Sequence, residues 1–164
     1  MFDIDIPTLA LASVFIAATF AIFFYYSLKG KKARKEFAHK FNQFISGLNL
    51  NPNIKEDWRN RYVLGLDQQN KILVYCDFGE NGKQLAIALP EVSKVDISEL
   101  YLEPANAANS RKILENLALK VQFKNSNKSA IQLPIYSAEE YSDLLGETVL
   151  ASSWAKIINQ QLTK

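Results

Sequence analysis

The sequence predicts an α+β fold tethered to a membrane. One N-terminal transmembrane helix leads into an amphipathic juxtamembrane helix. An antiparallel sheet or partly open barrel of about six to seven strands comes next, capped by a C-terminal helix. Three observations predict this. Residues 6–28 contain no charged side chain. Beyond Trp58 the apolar residues recur at every second position, the period of a strand. Residues 147–162 then return to helical spacing.

The anchor is assigned to residues 8–28, with residues 1–7 as a short extracytoplasmic N-terminus. At about 1.5 Å per residue this run spans roughly 30 Å, the thickness of a hydrocarbon core. It is apolar on every face, and the 136 residues after it could not easily wrap such a helix in a soluble core. A cleaved secretory signal has a basic start and a small-residue end. Here the order is reversed: Asp3 and Asp5 precede the run, and Lys29, Lys31, Lys32, Arg34 and Lys35 come after it. Phe23, Phe24, Tyr25 and Tyr26 stand where an interfacial aromatic belt belongs. Charge asymmetry of this sign puts the N-terminus outside and the C-terminal domain in the cytoplasm, on the inner (cytoplasmic) membrane. Ala10, Ser13, Ala17 and Ala21 form a small-residue stripe that would let a partner helix approach closely.

The five cations after the span form a collar suited to anionic headgroups. Residues 33–48 continue as an amphipathic helix whose face carries Phe37, Phe41, Phe44 and Ile45. That face either lies on the bilayer or packs on the domain, and the thinning of basic residues after Lys40 favours packing on protein. Gly47 and the asparagine-rich residues 49–53 end it.

The soluble domain is assigned to residues 54–164. Residues 62–66 and 71–75 read as a hairpin around Asp67-Gln68-Gln69-Asn70, succeeded by a strand at 84–89 that Pro90 ends and a less regular one at 92–97. Residues 103–112 read as a long polar connection. Leu117, Leu119, Val121 and Phe123 alternate with polar neighbours, as do Ile131, Leu133 and Ile135, giving a second hairpin around residues 124–128. Ser137 and Glu140 have the spacing of a capping box, with Gly146 able to split the helix beyond it into two pieces. The last helix carries Val149, Leu150, Trp154, Ile157 and Ile158 as an apolar stripe, with Trp154 its core anchor.

Meandering strands and then one C-terminal helix with a central tryptophan resemble the pleckstrin-homology-like architecture. They also resemble small bacterial proteins that place such a domain behind one transmembrane helix. The resemblance covers residues 58–162, through the runs YVLGLD, KILVYCD and SSWAKIINQQL. Phosphoinositide-binding members of that superfamily use a basic first hairpin loop. The loop at residues 67–71 offers only Lys71 beside Asp67, too little to clamp a multiply charged headgroup.

The chain's net charge of +2 misplaces the positive charge if averaged. Residues 41–164 hold thirteen basic and fourteen acidic residues, so the domain is near neutral and offers no nucleic-acid face. The single cysteine, Cys76, reads as a small buried residue in a strand, and a lone His39 cannot complete a zinc site with it. Phosphate-binding, dinucleotide, zinc-protease and nucleophile-elbow motifs are missing. The expectation is a non-enzymatic interaction module without cofactor, metal or small-molecule substrate. Its partners are membrane lipids and a membrane-protein complex of which it is an accessory or scaffold subunit. The alternative is an anionic-lipid sensor working through the collar.

Overall fold

Helix α1 runs without a break from Ile6 to Gly47 in the computed structural model, which describes residues 6–80, 82–102 and 113–162. The transmembrane and juxtamembrane helices expected as two segments are therefore one helix, about 63 Å long at the usual rise. Pro7 sits in the first turn, where its missing N–H costs nothing, and Gly30 is the sole other proline or glycine of the helix before Gly47. The helix stops where Asn49 takes a left-handed φ of 53° and the Leu50 N–H bonds back to the Ile45 carbonyl at 2.9 Å.

The chain divides into two compact units, Met1–Phe44 and Ile45–Lys164. Among the described residues, the second contains seven strands: β1 (Ile54–Trp58), β2 (Tyr62–Asp67), β3 (Ile72–Asp77), β4 (Gln84–Ala88), β5 (Val92–Leu102), β6 (Ile113–Phe123) and β7 (Ile131–Ser137). They form two antiparallel meanders, β1-β2-β3-β4 and β5-β6-β7, and among the described residues no barrel closes. Pro90 lies in a single 3₁₀ turn, Leu89–Glu91, that joins the two sheets. The polar connection expected at residues 103–112 lies outside the described residues.

Two elements differ from the sequence reading. Strand β1, IKEDW, precedes the hairpin that the sequence suggests is first: its three exposed charged residues, Lys55, Glu56 and Asp57, leave only Ile54 and Trp58 as apolar positions, too few to show alternation. Ser137 does not cap a helix. It ends β7, and its carbonyl accepts from Glu140 and Tyr141 in a turn. Helix α2 begins ten residues later, at Glu147–Leu162, after Gly146 with φ of 102°.

The core lies between the two sheets and α2. Tyr62, Leu64, Leu66, Leu73 and Tyr75 of the first sheet meet Leu117, Leu119, Leu133 and Ile135 of the second, and α2 adds Ala151, Trp154 and Ile158. Each fully buried large side chain contributes about 1.5–3 kcal/mol. Residues on the other face of β2 and β3, among them Val63, Val74 and Cys76, are also fully buried.

The β2–β3 turn is built on a buried carboxylate. Asp67 is 1% exposed, and its oxygens accept from the backbone N–H of Asn51 (2.8 Å) and of Asn70 (2.9 Å) and from the Asn70 side chain (2.8 Å). Burial alone would raise its pKa, but these hydrogen bonds outweigh burial and hold it below the ordinary 3.8. The folded value is depressed, so this stabilisation is present above pH 3.8 and is lost as pH falls through the folded value. Asp67→Asn places a donor against donors. At neutral pH it should destabilise the intact, detergent-solubilised chain by about 1–3 kcal/mol. The gap between variant and wild-type urea midpoints should narrow on acidification through that range; a gap independent of pH would refute a turn built on the ionised carboxylate.

Candidate functional site

The chemistry of the domain concentrates at the β1–β2 turn, Arg59-Asn60-Arg61. Trp58 and Tyr62 pair across it with stacked rings 5.3 Å apart. Arg59 and Asn60 both take left-handed φ, 56° and 49°, the signature of a primed hairpin turn. Asparagine tolerates that conformation. Arginine does so at a cost, and its side chain supplies the compensation.

Arg59 is held by three groups. Its Nε donates to Glu147 Oε1 at 2.6 Å, its Nη1 to Asp143 Oδ1 at 3.3 Å and its Nη2 to the Asp143 carbonyl. The guanidinium also lies 4.4 Å from the Tyr141 ring centre. Glu147, the first residue of α2, is 3% exposed and accepts the Leu145 N–H on its other oxygen. Burial works against the Arg59 charge, yet Glu147 and Asp143 outweigh it and raise its pKa.

Arg61 forms a fork on Asp77, with Nε to Oδ1 at 2.6 Å and Nη2 to Oδ2 at 3.0 Å, and Nη1 donates to Glu140 at 2.7 Å. The Tyr62 hydroxyl donates to the same Glu140 oxygen at 2.9 Å. These bonds, Asp77 first, raise the Arg61 pKa. Tyr62 is shifted upward by burial and by Glu140. A cleft of about 480 Å³ opens beside Arg61, and Glu99, Glu139 and Tyr136 share its lining.

Two arginines thus face four carboxylates, Asp77, Glu140, Asp143 and Glu147. The true first hairpin turn is richer in cations than the Asp67 turn, but its local charge is negative and both forks are occupied. The arrangement locks the turn to the β7–α2 connection and is ill suited to a phosphate.

His39 is exposed on α1. Cys76 is fully buried, and burial pushes its thiol up to about 12, which keeps it protonated and inert. Among the described residues, no group of three or more His, Cys, Asp and Glu side chains could hold a metal ion.

The residues singled out from sequence fall in separate places. Ala10, Ser13, Ala17 and Ala21 are exposed on α1. The Ser13 hydroxyl donates to the Leu9 carbonyl, and Thr19 donates to the Phe15 carbonyl at 2.8 Å, so both hydroxyls are satisfied within the helix. Lys29, Lys31, Lys32, Arg34 and Lys35 are exposed along the same helix. Phe37 and Phe41 are buried, at 7% and 1% exposure, whereas Phe44 and Ile45 are half-buried. Trp154 is fully buried, and its indole N–H donates to Glu56 Oε2 at 2.7 Å.

The most apolar 18 residues of α1 have a mean hydropathy of 2.0, and none is buried. By length and composition this helix can cross a membrane. Sequence reasoning misses the Arg59–Glu147 and Arg61–Asp77–Glu140 networks. The one signal for them is the W-R-N-R-Y run, in which two aromatics at strand positions bracket a turn centred on asparagine. Compared with family models, curated proteins and solved structures, the chain matches none.

Proposed function

We propose that this chain is a membrane-anchored, non-enzymatic interaction module, an accessory or scaffold subunit of a larger inner-membrane assembly. The observation that carries the reading is the unbroken helix: an exposed apolar stretch of membrane-spanning length passes directly into five exposed cations. A cleaved signal would not be expected to end in Phe23, Phe24, Tyr25 and Tyr26, so the anchor is taken as retained, N-terminus outside and domain in the cytoplasm. Seven antiparallel strands divided four and three, then one C-terminal helix, support a pleckstrin-homology-like assignment. The arginines of the domain's first turn are committed to internal acids, which favours docking over headgroup recognition.

The alternative reading is an anionic-lipid sensor working through the exposed cations Lys29, Lys31, Lys32, Arg34 and Lys35. Affinity isolation of the intact chain in mild detergent tests the proposal. A membrane-protein partner at constant stoichiometry is the expected result. Recovery of the chain alone under every mild condition would contradict it.

A further inference from the structure

A docking module needs an open surface, and the sheet edges differ in what they leave free. The β5 edge is closed at Val95, whose N–H and carbonyl pair with the Asn159 side chain of α2 at 3.0 and 2.7 Å. The β7 edge is occupied too: the Ile135 carbonyl accepts from the Trp58 indole at 3.0 Å and the Pro134 carbonyl from the Tyr75 hydroxyl at 2.8 Å. Pro134 has no N–H to offer. Strands β1 and β4, the edges of the first sheet, are different: among the described residues each has one strand partner, and β1 is the one with the groove described next beside it. In β1, Lys55, Glu56 and Asp57 are exposed.

Beside β1 runs a groove of about 640 Å³, walled on its other side by the start of α2. Leu145 and Val149 line it and are each 72% exposed. Its charged lining is Glu56, Asp57 and Glu147, and the one lining cation, Arg59, is already held by Glu147 and Asp143. Charges on an edge strand also guard against aggregation, but guarding does not require an exposed leucine and valine alongside.

We infer that the β1 edge and this groove accept an extended segment of a partner protein in which Lys or Arg alternates with aliphatic residues. The segment adds as a fifth strand to the first sheet. Its main chain bonds to β1, its aliphatic side chains lie on the Glu56 face and cover Leu145 and Val149, and its cations lie on the opposite face beside Asp57. This rests on the docking-module reading and gives it a surface and a partner chemistry.

The test uses the intact chain in phosphatidylcholine nanodiscs and two short labelled peptides, one alternating Val with Lys and one alternating Val with Glu. The Val/Lys peptide should bind, more weakly as salt rises, and should slow amide exchange across Ile54–Trp58. Asp57→Lys and Val149→Arg, both at exposed positions, should each weaken binding about tenfold while leaving the unfolding midpoint unchanged. Glu91→Lys, outside the groove lining, should leave binding as it was. Equal binding of both peptides, binding by neither, or indifference to both groove variants would overturn the inference. If a stoichiometric complex is still recovered from membranes, that failure removes the groove alone. Recovery of the chain by itself removes the module reading as well.

Discussion

Arg59→Ala in the intact, detergent-solubilised chain should lower stability by about 3 kcal/mol or more, read from the urea midpoint of tryptophan fluorescence. The reason is what the substitution leaves behind. Glu147 is 3% exposed, so without Arg59 its carboxylate is buried with no cation. Glu147→Ala should cost a similar amount, because Arg59 is only 10% exposed and would lose its closest carboxylate, keeping the longer ion pair and the carbonyl of Asp143 and the Tyr141 ring. The double variant should be markedly less unstable than the sum of the two, since neither charge is then stranded. Arg59→Gly adds a check on the backbone. It loses the same contacts but relieves the left-handed φ of 56°, and should be about 1 kcal/mol less damaging than Arg59→Ala. Additive single losses would show that the two residues act independently and that the turn is not locked through this pair.

Trp154→Ala should be at least as severe, at about 3–5 kcal/mol. Trp154 is the largest fully buried side chain of the domain and joins α2 to both sheets in one core. The truncation opens a large cavity and also strips Glu56 of its indole donor. Trp154→Phe separates these effects. It keeps most of the ring volume, loses the N–H, and should cost only about 1–2 kcal/mol. If Phe were as damaging as Ala, the hydrogen bond to Glu56 would outweigh the packing, and Trp154 could not be the packing anchor of α2.

Which elements are legible in the sequence depends on which residues alternate cleanly. Leu117, Leu119, Val121 and Phe123 advertise β6, and the run YVLGLD advertises β2, because apolar side chains recur at the strand period. Strand β1 is hidden: its exposed middle, Lys55-Glu56-Asp57, is what an edge strand carries, and single-sequence periodicity reads it as loop. Missing it shifts the hairpin count by one, which puts the first-turn comparison on Asp67 instead of Arg59-Asn60-Arg61.

The start of α2 is obscured for a related reason. Ser137 and Glu140 match a capping box in sequence, yet the chain needs residues 138–146 to bring Glu140, Asp143 and Glu147 to the two arginines. Contacts spanning about eighty residues leave no local pattern. Trp154 is legible as the centre of a helical stripe, but its bond to Glu56 is not, for the same reason.

Everything proposed for the domain depends on its working from a membrane it never leaves. That is tested most directly by washing membranes that contain the native chain at alkaline pH and measuring the mass of the chain that stays in the pellet. A retained anchor predicts a chain that still carries residues 8–28, held in the membrane fraction and released by detergent alone. A chain shortened by removal of the apolar segment and recovered in the soluble fraction would contradict it.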